Sequence, residues 1–512
     1  MLAIVNACAL LGLEGRIIEV EVDFNPRVGV PSFNIVGLPD SAVKESRERV
    51  RAAIKNARLQ FPNKAYVVNL SPADMPKHGP AYDLAIAVGV LAATDQVPLD
   101  SIADSLFLGE LSLDGSVRHI KGIMPMVYTA FERGISRVYV AAEDAPQAGL
   151  ITGVQIIPVE SLGHLVEHLY GLQPIPPYTP PPLNIEAGLI PEGIVDFADI
   201  KGQQHSKRAL EIAAGGNHNI LFSGSPGVGK TLLARAMPGI LPRLTLEEAL
   251  EVTRIYSVAD MLRGDHPLVQ SRPFRAPHHT ISQAGLVGGG SIPKPGEISL
   301  AHRGVLFVDE IVEMSSKTLE VLRQPIEDKI VTISRAQGTM TFPANFLLVG
   351  AMNPCPCGYY GDTARACTCS PTMIARYQGR LSGPLLDRID LHVDVPRVEY
   401  DKLMTADRAE SSAAVRERVE QARERQRQRF AGRAGLYANA DMGVSEIQQL
   451  CILSTEARQL LEVSTKRLQL SARSYHRIIK LSRTIADLDG SHHIEIAHVA
   501  EAIQYRPRQS SH

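Results

Sequence analysis

The sequence predicts an α/β protein of about three domains, with a parallel sheet at its centre and an all-helical C-terminal part. Three observations predict it. A complete G-x-x-x-x-G-K-[ST] loop lies between an apolar strand and a helix. A proline-rich stretch, Gly171 to Asn184, sets off an N-terminal region where strand-like and helical runs alternate. Beyond about residue 398 the apolar and charged residues recur only at helical spacing.

The bulk numbers agree with a soluble globular chain. It has 512 residues, 45% hydrophobic and 21% charged, with a formal net charge of −2. No global basic field exists, so any nucleic-acid contact must come from a local patch or an interior channel. The start, MLAIVNACALLGLEGRIIEV, has no basic n-region and stops its apolar run at Glu14, which reads as a first strand rather than a leader. No run of about 18 apolar residues is present, so no membrane span is expected. Few cysteines and no secretion signal place the chain in a reducing cytoplasm.

The elements follow in order. Residues 1–170 carry strand-like runs at Ala65–Leu70 and Ser136–Glu143 and a helical run at Tyr82–Thr94, an α/β or α+β pattern. Residues 171–184 hold six prolines between Pro174 and Pro182, which read as a semi-rigid spacer. Residues 185–397 form the nucleotide-binding core and 398–512 a helical domain.

In the core, the strand Ile220–Phe222 leads into Gly224, Ser225, Pro226, Gly227, Val228, Gly229, Lys230 and Thr231. The glycines let successive backbone N–H groups face phosphates, and the following helix N-terminus adds positive potential. Lys230 is positioned for the β- and γ-phosphates of ATP and Thr231 for Mg²⁺. A continuous apolar run, Val305–Val308, ends in Asp309 and Glu310, where a doubly wound sheet places its ligands. Asp309 is the second candidate for Mg²⁺, and Glu310 the candidate for polarising the attacking water. A third strand ends in Asn353, a candidate γ-phosphate sensor. Arg388, at a helix-to-strand junction in GPLLDRIDLHVDV, suits stabilisation of transition-state charge at a neighbouring subunit's site; the alternative is an Asp387–Arg388 surface pair.

These residues resemble the AAA+ ATPases, specifically the magnesium-chelatase-like branch. The stretch RPFRAPHHTISQAGLVGGGSIPKPGEISLAHRGVLFVDE, Arg272–Glu310, carries the likeness. The separation of Lys230 from Asp309 far exceeds the roughly 30 residues of a βαβ crossover, and the excess fits this branch's helix insert. The resemblance implies a P-loop AAA+ core (a parallel sheet with helices on both faces) plus a helical lid. In that lid, LSARSYHRIIKLSRTIADLDG looks like the sensor-2 helix, with Arg473 as the implied γ-phosphate contact and Arg477 as the alternative. SPADMPKHGPAYDLAIAVGVLAA and GSVRHIKGIMPMVYTAFERG resemble a Lon-protease-like α+β domain of the ribosomal S5 domain 2-like kind. Aligned on those stretches, Ala81 stands at the serine's place and Met124 at the lysine's, which argues against peptidase activity. The whole chain is similar to the ComM/YifB family. That resemblance implies a homo-hexameric, ATP-driven branch migration helicase acting on DNA during natural transformation. A protein-remodelling or assembly ATPase and a chelatase-type metal-insertion ATPase are the alternatives.

Four features remain. Asp328–Phe346 reads as a hairpin about a Gln337-Gly338 turn, and in related AAA+ motors such a hairpin enters the ring pore; Arg335 near its tip and Lys294 are the candidate DNA contacts. Arg416–Arg433 reads as a solvated helix with i,i+4 pairs, with a DNA stripe as the alternative. His278-His279 reads as structural or interfacial rather than metal-binding. Finally, Cys355, Cys357, Cys367 and Cys369 form C-x-C-x₉-C-x-C, spaced either to close a structural Zn²⁺ site or to leave an ordered loop of free thiols.

Overall fold

The computed structural model describes the chain apart from residues 28–29, 183–193, 263–265, 291–292, 336–337, 399–408, 434 and 508–512, and apart from the side chains of 335 and 338. The chain divides into two compact units. The first is Met1–Asn184 with Ala249–Val269; the second is Ile185–Glu248 with Gln270–His512.

The first unit is built on a seven-stranded mixed sheet. Strands Leu2–Leu11 and Glu14–Asn25 form its long antiparallel ladder. Ser105–Phe107, Arg137–Ala141 and Gln155–Val159 extend it in parallel. The helix Asp83–Ala93, DLAIAVGVLAA, is buried along its whole length. A helix that is apolar all round can only be stable inside a core. Its one charge, Asp83, is met by the Arg49 guanidinium at 2.6 and 3.0 Å, because an unpaired buried carboxylate would be costly.

Two expectations need correcting here. The proline-rich stretch, expected as a semi-rigid spacer between domains, groups with the first unit. Ile175 is buried, its N–H donates to His168 Nδ1 at 2.8 Å, and the Tyr178 N–H donates to Ile156 O at 2.8 Å. It therefore lies down as part of the first unit. In addition, residues 249–269, read from sequence as part of the nucleotide core, belong to the first unit. There Arg254 donates to Leu13 O at 2.7 Å and the Gly122 N–H to Ser257 O at 3.1 Å. The segment contains most of the helix Leu246–Val258, and helical periodicity does not say which surface an apolar side will meet.

The second unit holds a five-stranded, wholly parallel sheet. Across the sheet its strands lie in the order Phe274–Arg275, Val305–Val308, Leu347–Met352, Ile220–Ser223 and Leu391–Asp394. The first strand in sequence, Ile220–Ser223, thus lies between the last two, Leu347–Met352 and Leu391–Asp394. Strand order reverses beside it, and ligands of open parallel sheets bind at that switch point, beyond the strands' C-terminal ends. Every residue of Val305–Val308 and Leu347–Met352 is buried, as continuous apolar central strands require. The hairpin Ile330–Arg335/Gly338–Pro343 forms as expected, paired as far as Arg335↔Gly338, and the expected Gln337-Gly338 turn lies partly outside the described residues. Helices Ser412–Arg429, Val444–Leu450, Thr455–Leu468, Ala472–Leu488 and Ile496–Gln504 follow. One apolar core runs from the sheet (Ile220, Val349, Leu391) into these helices (Ile478, Ile485, Val499). No helix among the described residues is long and apolar enough to cross a membrane.

Candidate nucleotide-binding site

The phosphate loop leaves the strand Ile220–Ser223 and enters the helix Lys230–Ile240. Gly227 and Gly229 have φ of 80° and 96°, a region open to glycine at little cost. With it the chain turns tightly enough to aim several N–H groups at one point. Lys230 is buried at the helix start, and its ammonium is held by Gly224 O at 2.5 Å, Ser225 O at 3.0 Å and Asn353 Oδ1 at 3.0 Å. Those oxygens stand in for phosphate oxygens as the partners of a buried cation. Burial lowers the lysine's pKa, and the nearby Asp309 and Glu310 oppose that. The Thr231 hydroxyl donates to Asp309 Oδ2 at 2.8 Å. Two oxygen ligands of the kind Mg²⁺ prefers are therefore side by side.

Glu310 follows with φ 48°, and its N–H donates to Asp309 Oδ1 at 3.0 Å. Its half-exposed carboxylate lies 3.4 Å from His279 Nδ1. Sequence reasoning missed this contact. No contiguous motif could have given it, because it depends on Phe274–Arg275 pairing in parallel with Val305–Leu306, so that both chains leave the sheet at the same end. His278 turns instead to Thr280 Oγ1 at 2.8 Å.

The structure brings Lys230, Thr231, Asp309, Glu310 and Asn353 together. It places the two arginines elsewhere. Arg388 donates to Pro384 O at 2.7 Å and to Glu327 Oε2 at 3.0 Å, so the Asp387 pair weighed from sequence does not form. Arg473 is half-exposed, 3.8 Å from both Glu327 and Asp387. Glu327 thus gathers both arginines. Arg477 is buried and donates to Ile389 O at 2.9 Å, a structural position.

Lys294 is exposed, in the short pairing Gly288–Gly289/Lys294–Pro295. The side chain of Arg335 lies outside the described residues. The arginines of 416–433 are largely engaged within the unit: Arg418 with Glu211 at 2.7 Å, Arg425 with Asp487 O at 2.6 Å and Arg429 with Asp487 Oδ2 at 2.9 Å. This overturns the reading of a merely solvated helix. In the first unit Ala81 and Met124 are both buried, and neither side chain can act as nucleophile or base.

The four loop cysteines converge, with all sulfurs within 4.8 Å of one another. Cys355, Cys357 and Cys367 lie 3.3, 3.6 and 3.7 Å apart. The edge of a tetrahedral ZnS₄ site is about 3.8 Å, so the spacing fits that ion. The N–H groups of Tyr360, Cys357 and Cys369 point at Cys355, Cys369 and Cys367 Sγ at 3.3, 3.4 and 3.4 Å. Backbone N–H groups at Tyr359 and Thr368 push the Cys357 thiol down to about 5, toward the thiolate a metal needs, whereas, against an opposing backbone N–H, burial and the neighbouring sulfurs push Cys367 up to about 12 and Cys369 upward.

Comparison with known proteins bears on the whole chain. The family described as magnesium chelatase, subunit ChlI matches residues 196–403, and its C-terminal family matches 409–506. Residues 20–144 match the family described as subunit ChlI of Mg-chelatase. Competence protein ComM of Haemophilus influenzae is 44% identical over 506 residues, 99% of this chain and 97% of its own. The chain belongs to the ComM/YifB family of magnesium-chelatase-like AAA+ proteins. The uncharacterized protein YifB of Escherichia coli is 42% identical over 506 residues, 99% of this chain and 97% of its own. Lon protease 2 of Bacillus subtilis is 28% identical over 200 residues, 36% of this chain and 35% of its own. The family's chemistry is that of an ATPase, and the residues gathered around Lys230 fit ATP and Mg²⁺.

Proposed function

We propose that this chain is an ATP-driven DNA motor, a homo-hexameric branch migration helicase acting on recombination intermediates during natural transformation. The observation that carries the reading is identity along almost the entire length with a competence protein. The grouping of Lys230, Thr231, Asp309 and Asn353 supports it on the ATP side.

In this reading Gly224–Thr231 hold the phosphates, with Lys230 on the β- and γ-phosphates. Thr231 and Asp309 hold Mg²⁺, which neutralises phosphate charge when bound. Glu310 orients and deprotonates the attacking water, Asn353 senses the γ-phosphate, and a neighbouring subunit's Arg388 meets the transition-state charge. Arg473, on the lid helix and near the same Glu327 as Arg388, meets the γ-phosphate. The hairpin ending at Arg335, with Lys294, contacts the DNA backbone without reading sequence. The four cysteines hold a structural Zn²⁺. The protein works in the cytoplasm and has no peptidase activity.

The test is a strand-exchange assay on a four-way junction with ATP, run beside Lys230→Ala. The reading expects ATP-dependent exchange that the variant loses, and an ATPase rate raised by branched DNA. No junction or fork binding at low salt, together with no stimulation, would favour a protein-remodelling or assembly ATPase. Metal insertion into a porphyrin would instead favour a chelatase-type role.

A further inference from the structure

The four-cysteine loop is built against the phosphate loop. Gly358, at φ 85°, lies on Pro226: a Cβ there would come within 2.6 Å of Pro226 Cδ and 2.7 Å of its Cγ. The Asp362 carboxylate lies beside the Ser225 side chain, whose hydroxyl favours its charged form. The Asp362 carboxylate is fixed in turn by the N–H groups of Ala364 at 2.8 Å and Arg365 at 3.1 Å. The second and third residues of the phosphate loop are therefore both braced from the cysteine loop. Asn353, two residues before Cys355, holds the Lys230 ammonium. The helix Pro371–Gln378, which follows Cys369, ties back through Gln378 Nε2 to Pro354 O at 2.9 Å.

Residues 355–369 contain neither helix nor strand. Their backbone has no ladder to fix it, and the group at their centre is the sulfur cluster. Whatever binds those sulfurs therefore sets the shape of the surface that meets Ser225 and Pro226.

We propose that the Cys355, Cys357, Cys367 and Cys369 site takes a soft tetrahedral divalent cation that controls nucleotide affinity, by fixing Gly358 and Asp362 against the phosphate loop. The proposal rests on the zinc reading given above. The coupling follows from populations. If only the metallated loop keeps the cradle in its binding shape, affinity falls by the fraction of chains that lose that shape. Linkage is reciprocal, so bound nucleotide also tightens the metal.

The experiment uses the full chain and a fluorescent ADP analogue with Mg²⁺. Zinc content and thiol alkylation are measured first. Nucleotide affinity is then measured before and after treatment with a zinc-selective chelator, and again after Zn²⁺ is returned. The expected result is about one Zn per chain, a loss of about tenfold in affinity on stripping, and recovery with Zn²⁺. Asp362→Ala, which leaves all four cysteines in place, should keep the zinc, leave the thiols protected and still weaken nucleotide binding. Zinc present, with affinity unmoved both by stripping and by Asp362→Ala, would overturn the control proposed here and leave the zinc reading standing. Little zinc and freely alkylated cysteines would overturn the zinc reading itself.

Discussion

At the scale of single residues, the site separates binding from turnover. Lys230 is buried among oxygens, whereas Glu310 is half-exposed and touches only the edge of the cluster, through its N–H to Asp309 and its carboxylate near His279. Glu310→Gln should therefore hold nucleotide about as well as the parent, while turnover falls by about 100-fold or more, the usual scale for losing a general base. Equilibrium binding and steady-state ATPase rates check it, and near-normal turnover would remove Glu310 from its assigned role. The phosphate loop and the Asp309-Glu310 pair were legible in the sequence because each is a contiguous word. Nothing comparable announced the His279 contact or the approach of Asp362 to Ser225, which join residues brought together only by strand order and loop shape.

At the scale of elements, the segment 249–269 shows how a stretch assigned by its position in the chain can belong to a different unit. Its partners in the first unit include a compact charge cluster. His119 Nδ1 lies 2.5 Å from Asp144, His119 Nε2 lies 3.0 Å from Asp260, and Lys121 lies 2.8 Å from Asp260. The hydrogen bond that His119 donates to Asp144 foremost, and the Asp260 contact after it, raise the His119 pKa to about 9. The unfolded value is near 6.5. A raised histidine pKa means a stabilising contribution that is complete below the unfolded value and lost as pH rises through the folded one. His119→Gln should thus lower the thermal midpoint at pH 7, and the gap to the parent should close by about pH 10. A gap independent of pH would refute the charge pairing as its source. The fold class was legible because parallel strands, an all-apolar buried helix and amphipathic lid helices each leave a distinct periodicity. The placement of 249–269 was not, since an apolar helix face carries no address.

At the scale of the whole molecule, the two arginines assigned to ATP chemistry face Glu327 and Asp387 within their own chain. A ring in which each subunit completes its neighbour's site makes a sharp prediction. Arg388→Ala and Glu310→Gln chains, each inactive alone, should recover ATPase activity when mixed. An Arg388→Ala subunit has an intact site for water activation and can receive the arginine of a Glu310→Gln neighbour. Random mixing would restore about a quarter of the interfaces. No recovery from co-assembled chains would mean that Arg388 serves its own site. The helix Leu246–Val258 carries a last consequence for anyone dissecting this protein. Because the chain leaves the nucleotide unit at Glu248 and returns to it at Gln270, the two units are threaded rather than strung in series. Cutting at residue 184 does not yield a free ATPase: what remains still carries a piece of the other unit, deprived of the surface it was made to cover.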